Sequence, residues 1–405
     1  MNADTQTVSW PYPIVRLKPG KEGLLSKRHP WIFSGAFAEA PPAPLVRIAD
    51  SSGNVLACGT ASTSNPLAAR IFRFENAPLD EQFFKDRLES AIALRRTLGL
   101  DGDNLGCRWV FGEGDGLPGL VIDRYGAALC IQVGTAGLEA LRGIWFPALS
   151  ELAKQNRIQT IVERSLAGRK EEGLEIVNRI VKGSLSGPVT IVEGGAKFSV
   201  DLLKGQKTGF YLDQRDHRLA LGRIASGKRV LNAFGYTGAF SVHAGLGGAA
   251  EVTTLEISQA AMDVCESDWE ANGLDPYRHI RLQGDAFDLM RQLKPDSYDC
   301  IVIDPPAFAK QRKDLDNAFK AYKDVFRLGA RAAAPGGMMF CFSCSQYLER
   351  TRFQEAVWTA CIEAGREAQV IAHLGQPQDH PYSINHPEGF YLKGLLLRLS
   401  PFPKR

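Results

Sequence analysis

Nowhere do the 405 residues hold an apolar run close to the ~18 that would carry a helix across a membrane. The opening Met1-Asn2-Ala3-Asp4-Thr5 lacks the basic-then-apolar pattern of a secretory leader. Only eight cysteines occur, irregularly placed, which excludes a disulfide framework and fits a reducing cytoplasm where thiols stay free to react. A large excess of either charge is also missing. The net charge of +3 neither demands nor excludes a nucleic-acid partner, because a local basic face decides that. No Gly-Lys-Ser/Thr ending marks a phosphate loop, and no second Cys or His pair stands at zinc-finger spacing. The expectation is therefore no metal and no membrane.

What is present is a globular composition, 44% hydrophobic and 23% charged, in a chain long enough for two or three domains. Residues 1–75 read as a small β-rich domain. Leu45-Val46-Arg47-Ile48 and Val55-Leu56-Ala57-Cys58 flank Asp50-Ser51-Ser52-Gly53-Asn54, a hairpin turn. Lys27-Arg28-His29-Pro30-Trp31-Ile32-Phe33-Ser34-Gly35 sets basic groups beside aromatics, which suits phosphate contact with base stacking; a turn with a core Trp and solvated charges is the alternative. Residues 76–187 read as an α+β middle domain of β-β-α-β type. It comprises an amphipathic helix over 78–98, strands around Arg108–Phe111, Leu120–Asp123 and Leu129–Val133, a helix near 136–155 and a strand at Thr160–Glu163. Arg169–Gly173 and Gly183–Pro188 read as loop and linker.

From about residue 188, strand, glycine and helix alternate in units of roughly thirty residues, the signature of βαβ architecture and a mainly parallel sheet. Lys228–Ala233 is a strand, followed by the loop Phe234-Gly235-Tyr236-Thr237-Gly238 and a helix start. The dinucleotide pattern is absent, because Ala233 stands where its first glycine would be; this argues against a pyrophosphate cofactor. The next strand ends in Glu256, placed to accept ribose hydroxyls. Ile280–Phe287 reads as a third strand ending in Asp285, suited to an adenine amino group, with Ala286 and Phe287 as walls. Singly, Glu256 could be a solvated acid and Asp285 a helix cap. Together with Asn232 and the loop they point to S-adenosylmethionine.

Tyr298–Asp304 is an apolar strand stopped by Pro305-Pro306, which leaves the Asp304 carboxylate at the sheet's carboxyl edge, where ligands of such sheets bind. After a helix over 316–333, Gly336–Ser345 forms a fifth strand whose tip is Ser343-Cys344-Ser345. Cys341 and Cys344 spell Cys-x-x-Cys, but residues three apart in a strand face opposite ways, so one reactive thiol, Cys344, and one packed neighbour, Cys341, are expected. An inert buried Cys344 is the competing reading.

These residues suit one chemistry. Cytosine C5 is too weak a nucleophile to take a methyl group directly, whereas a thiolate added at C6 makes C5 enamine-like. Cys344 would supply the thiolate and Asp304 a hydrogen bond to the ring edge, on a base outside its stack.

With those residues in view, the chain resembles, almost end to end, the bacterial large-subunit ribosomal RNA cytosine-5 methyltransferases that carry an N-terminal PUA domain. His29–Gly35 is similar to the family's RNA-binding phrase, Glu113-Gly114-Asp115-Gly116-Leu117-Pro118-Gly119-Leu120 to its central domain and Gln206–Arg215 to the entrance of its methyltransferase domain. Asn232–Gly238 resembles the donor loop, Asp304-Pro305-Pro306 its motif IV, Ser343-Cys344-Ser345 the catalytic-cysteine motif and His386–Gly394 a closing hairpin.

The resemblance implies a small β-barrel-like PUA domain over 1–75, an α+β domain over 76–187 and a Rossmann-like class I methyltransferase domain with a mainly parallel seven-stranded sheet over 188–405. It implies S-adenosyl-L-methionine, 23S ribosomal RNA and a cytoplasmic enzyme, leaving a homodimer open. Catalysis is expected of Cys344 and Asp304. Donor binding is expected of Gln214, Arg215, Asn232, Phe234, Gly235, Tyr236, Thr237, Gly238, Glu256, Asp285, Ala286 and Asp304. RNA contact is expected of Lys27, Arg28, Trp31, Lys207, Arg218 and Lys310, with Arg215, Arg312 and Lys313 beside them. One departure stands out: related enzymes usually place a second Cys after the motif IV proline, where this chain has Pro306 and Ala307. Guanine-N methylation through Asp-Pro-Pro, or a non-catalytic RNA-binding assembly role, are the alternatives.

Overall fold

The computed structural model describes residues 10–403 except 43, 64, 167 and 310. The chain divides into two compact units. One runs to Ile191 and takes in Val200–Leu212 and Gln378–Gly389; the other holds Val192–Ser199, Asp213–Pro377 and the chain from Phe390 onward.

The first unit contains two five-stranded sheets. Its N-terminal sheet runs Ile14–Arg16, Leu45–Ala49, Val55–Ala61, Leu67–Arg73, Trp31–Phe33 in spatial order. The expected hairpin is there: the Asp50 carboxylate accepts the N–H groups of Ser52 and Asn54, and Gly53 adopts φ +94°, which glycine permits. Val15, Ile32, Val46, Ile48 and Ile71 fill the core beneath.

The second sheet is richer than β-β-α-β. Gly106–Phe111, Leu120–Tyr125, Ala128–Val133, Thr160–Ser165 and Val177–Lys182 line up in that order. The last strand falls between two stretches read as loop and linker. It is an edge strand whose apolar residues are only half covered, so no strong alternation announces it. The expected amphipathic helix spans Glu81–Thr97, capped by Asp80 accepting from the Phe83 N–H, and buries Phe83, Phe84, Leu88 and Ile92. The helix expected near 136–155 comes in two pieces, Ala136–Ala140 and Arg142–Gln155. Buried Asp379 belongs here, taking the Arg108 N–H on its carboxylate and Arg95 on its carbonyl.

The second unit is built on a seven-stranded sheet. Its strands are β1 (Arg229–Ala233), β2 (Glu251–Glu256), β3 (His279–Gln283), β4 (Tyr298–Ile303), β5 (Ala333–Ser343), β6 (Arg366–Leu374) and β7 (Lys393–Pro401). Their spatial order is β3-β2-β1-β4-β5-β7-β6. The first five pair parallel, and β7 pairs antiparallel to both β5 and β6. The helices are α1 (Arg215–Ile224), α2 (Ala239–Leu246), α3 (Gln259–Ala271), α4 (Ala286–Gln292), α5 (Leu315–Ala332) and α6 (Arg350–Glu363). Helices cover a parallel sheet on both faces, which is why Cys300–Ile303 of β4 is buried throughout. Helix α5 lies so close to β4 that a Cβ at Gly329 would stand 2.3 Å from Ile303 Cδ1.

One strand is shorter than its sequence pattern implies. The stretch Ile280–Phe287 is not a single strand, because β3 stops at Gln283 and Asp285 opens α4 with its carboxylate on the Phe287 and Asp288 N–H groups. Ala286 and Phe287 thus belong to a helix start. Among the described residues no helix is long and apolar enough to cross a membrane.

Candidate active site

The carboxyl edge of the parallel strands gathers most of the expected donor-site residues. The β1–α2 loop bends through two unusual backbone positions, Phe234 (φ +59°) and Tyr236 (φ +48°). Non-glycine residues in this region store strain, which persists where the surroundings hold them there. Those surroundings are identifiable. Gly235 donates to the Leu255 carbonyl at 2.9 Å, and Tyr236 N–H donates to Glu256 Oε2 at 2.8 Å. Gly238 adopts φ +72°, and a Cβ there would stand 1.9 Å from Cys265 Sγ on α3. A Cβ at Gly235 would meet Thr254 Cγ2 at 2.5 Å. Both glycines are therefore dictated by close approach.

Asn232, buried, sits beneath the loop. Its Nδ2 donates to Ser241 Oγ at 2.9 Å, and Ser241 is 2.6 Å from Thr254 Oγ1. Asn232 ties β1 to α2, the helix that follows the loop. Thr237 is also buried. Glu256 is neither a merely solvated acid nor solely a ribose partner: one oxygen holds Tyr236 N–H and the other Ser258 N–H. Asp285 is exposed and acts as a helix cap, but both capping bonds end on Oδ1. Half-buried Phe287 stands edge-on to Phe234 at 6.4 Å and 5.9 Å from Phe308, so an apolar wall runs between the Asp285 and Asp304 tips.

The residues gathered here suit S-adenosylmethionine. The loop between β1 and α2 bends sharply at Phe234 and Tyr236 beside the end of β2. Carboxylates stand at two strand tips, and there is no glycine pattern for a pyrophosphate.

Asp304 follows β4 directly, as expected, and its Oδ2 accepts from Gln214 Nε2 at 2.8 Å. Gln214 Oε1 is in turn 2.5 Å from His217 Nδ1. Burial, reinforced by the Arg218 charge, takes the His217 imidazole down to about 4, so it is neutral and donates to the glutamine. Gln214 thus acts as a clamp on Asp304.

Cys344 follows β5 and is half-buried, the one of the eight cysteines that is not fully buried. Cys341 lies wholly inside, where burial pushes its thiol well above the ordinary value. The reading of one accessible thiol and one packed neighbour agrees with this geometry. Ser345 is buried with its hydroxyl on the Ala309 carbonyl, 3.1 Å away.

Two neighbours of Cys344 were not foreseen. Lys393 lies opposite Ser343 across the β5–β7 ladder, its ammonium 2.8 Å from the Ser345 carbonyl and 2.7 Å from that of Tyr391. Tyr322 on α5 faces Ser343, Cys344 and Asp304, and burial is the main reason its phenol is pushed up to about 12. A lysine opening the apolar run Leu395-Leu396-Leu397 was a signal available in the sequence.

The expected RNA contacts fare unevenly. Arg218 is a correction. It is 1% exposed, and its guanidinium forks onto both oxygens of Glu193 at 2.6 Å, with His243 at 3.1 Å. Burial alone would raise Glu193, but Arg218 and His243 outweigh it and hold the carboxyl near 2. A cation so committed is unavailable to phosphate. Arg215 is likewise buried, and lies 3.7 Å from Asp216. Lys27, Arg28, Arg312 and Lys313 are exposed, Arg28 over the Phe74 ring at 5.6 Å. Lys207 (φ +51°) sits 4.2 Å over Tyr211. Trp31 is half-buried rather than open: its Nε1 donates to Glu113 Oε1 at 2.8 Å and its ring meets His386 at 4.3 Å. Phe33, 52% exposed, is the open aromatic of that phrase. Lys310 lies outside the described residues. Lys27, Arg28, Trp31 and Lys207 belong to the first unit, the donor pocket and Cys344 to the second. Among the described residues no group of three or more His, Cys, Asp or Glu is placed to hold a metal.

Comparison with known proteins is consistent with this geometry. Residues 177–356 match the family model of S-adenosylmethionine-dependent methyltransferases, and residues 15–74 match a PUA-like domain. The ribosomal RNA large subunit methyltransferase I of Aeromonas hydrophila is 42% identical over 95% of this chain and 98% of its own length. That of Klebsiella pneumoniae is 40% identical over 96% and 98%. Among solved structures, a protein described as a SAM-dependent methyltransferase from Streptococcus mutans superposes with a TM-score of 0.82 at 22% identity, covering 95% of this chain and 100% of that one; it shares the fold. The chain belongs to the ribosomal RNA large subunit methyltransferase I family of S-adenosylmethionine-dependent enzymes.

Proposed function

We propose that the protein methylates C5 of a cytosine in 23S ribosomal RNA, in the cytoplasm, through a covalent adduct between Cys344 and C6 of the base. The observation that carries this reading is Cys344 itself. It is the one cysteine not fully buried, and it follows a strand adjacent to the one that ends at Asp304.

In this reading Phe234–Gly238, Glu256 and Asp285 hold the methyl donor, whose sulfonium supplies an electrophilic methyl group when bound. Asp285 Oδ1 keeps its capping role while the second oxygen meets an adenine amino group. Cys344 adds to C6, and Asp304, oriented by Gln214, hydrogen-bonds the ring edge as a proton donor where negative charge develops. C5 then carries the methyl group, a water acting as base takes the C5 proton, and the electron pair left at C5 re-forms the ring double bond as the C6–S bond breaks and the Cys344 thiolate leaves. Pro306 and Ala307 supply no second thiol, so release falls to the deprotonation step alone. We further propose that residues 1–75 form an RNA-binding domain, 76–187 a central domain and 188–405 the methyltransferase domain, with Lys27, Arg28 and Trp31 of the first and Lys207 of the last on phosphate and base.

The test is Cys344→Ala. It should bind donor and RNA by calorimetry yet transfer no methyl group to ribosomal RNA. Full activity in that variant would overturn the adduct and favour guanine-N methylation at Asp304-Pro305-Pro306. Absence of donor binding by the unaltered protein would favour an assembly role.

A further inference from the structure

Lysine buried in a protein interior is costly unless its charge is compensated, because the ammonium leaves water behind. Lys393 is 5% exposed. Its hydrogen bonds go to two main-chain carbonyls, Ser345 at 2.8 Å and Tyr391 at 2.7 Å, and among the described residues no carboxylate forms an ion pair with it. Carbonyl dipoles satisfy its donors without cancelling its charge. One of those carbonyls belongs to the residue after Cys344, and Lys393 pairs in register with Ser343, the residue before it. The ammonium therefore lies against the strand end that carries Cys344.

We propose that Lys393 is the positioning cation of the active cysteine: its ammonium stabilises the Cys344 thiolate and raises its fraction at neutral pH. The inference rests on Cys344 being the nucleophile of the proposed reaction. An ordinary cysteine, with a pKa near 8.5, is only a few per cent thiolate at pH 7, and a neighbouring lysine lowers that value. Deprotonation sends the thiol proton to solvent and leaves a half-buried anion near a buried cation that otherwise has no opposite charge. Burial pulls Lys393 itself down to about 8, and Cys344 pulls the other way, as expected of two groups that feel each other. The other titratable groups at this edge work against the thiolate or stay neutral. Asp304 is a carboxyl and offers no positive charge, Tyr322 remains a phenol because burial pushes it to about 12, and His217 is uncharged at neutral pH because burial takes it to about 4. Among the described residues at this edge, Lys393 is thus the cation bonded to the strand end that carries Cys344.

Because the other seven cysteines are buried, iodoacetamide reads Cys344 selectively in the native protein, the thiolate sulfur displacing iodide. The alkylation rate of Cys344, followed by peptide mass spectrometry from pH 5.5 to 10, yields its apparent pKa directly. The unaltered protein should show a value below 8.5; a value at or above it overturns the proposal without any variant being made. Lys393→Gln, which keeps donors but loses the charge, should raise that value by about one unit and slow alkylation at pH 7 about tenfold. Lys393→Arg should keep most of the effect. A Lys393→Gln protein that melts like the parent and alkylates with the parent's pH profile would reduce Lys393 to a structural tie and overturn the proposal. The failure of the underlying reading looks different. If Cys344→Ala still methylates RNA while Lys393→Gln shifts the thiol, the nucleophile assignment falls and the electrostatic one stands.

Discussion

Gln214 Nε2 donates to Asp304 Oδ2 at 2.8 Å while its carbonyl oxygen is held by neutral His217, so the carboxylate at the β4 tip is aimed through a buried relay. Removing the relay should leave the fold and unaim the acid. Gln214→Ala should retain donor binding by calorimetry but lower kcat by about 10- to 100-fold, the usual cost of misplacing a reacting group. Unchanged kcat would show that Asp304 needs no clamp.

The donor loop makes a second prediction. Gly238→Ala adds a Cβ that would collide with Cys265 Sγ at φ +72°, so both strain and overlap oppose it. A loss of about 2–4 kcal/mol is expected from the combined effects, together with weakened donor binding. Thermal melting with and without S-adenosylmethionine measures both, and Cys265→Ala in the same chain should restore part of the stability but not the backbone strain.

Arg218 should behave as a structural residue. Arg218→Met would leave Glu193 buried with only His243 beside it, and breaking such a pair costs about 3–5 kcal/mol. The salt dependence of RNA affinity should stay as in the parent protein. Lys27→Ala with Arg28→Ala should do the reverse, leaving melting unchanged and flattening the slope of affinity against salt by about one to two counterions. Binding titrations at several salt concentrations decide between the two patterns.

Asp268 on α3 carries a pH prediction. Burial pushes its carboxyl up to about 7, although the Ser199 N–H bond to Oδ1 pulls the other way. The folded state thus holds a proton that the unfolded state, near the ordinary 3.8, releases. Its contribution to stability is fully present below that ordinary value and is lost as pH rises through about 7. His217 and His279, both taken down to about 4 by burial, act in the opposite sense between about 4 and 6.5. Asp268→Asn should therefore gain stability relative to the parent as pH rises from about 4 to about 7 and level off above it. The gain is at most about 4 kcal/mol. Urea melts across that range read the difference, and a difference independent of pH would refute the shifted carboxyl.

Much of this was legible beforehand, and for a physical reason. Parallel strands are continuous apolar runs, so Val302-Ile303 and Phe340-Cys341-Phe342 declared themselves, and Pro305-Pro306 stopped the first at Asp304 because proline cannot continue a ladder. The loop Phe234–Gly238 was readable because glycine is demanded where backbone must pass close to a side chain. The Val177–Lys182 edge strand was not, since half-exposed residues carry little periodicity, and Asp285 ended its strand early because a carboxylate that can cap a helix does so.

By itself, then, the sequence determined the sheet, the loop Phe234–Gly238 and the places of Asp304 and Cys344 at strand ends, because those depend on local spacing and on where a strand must stop. Only the tertiary structure decided what surrounds them. Arg218 faces inward to Glu193, Gln214 clamps Asp304 across 90 residues, and Lys393 comes to Ser345 from 48 residues away. Such partnerships join charges distant in sequence, and burial, which sets their strength, exists only once the chain has folded.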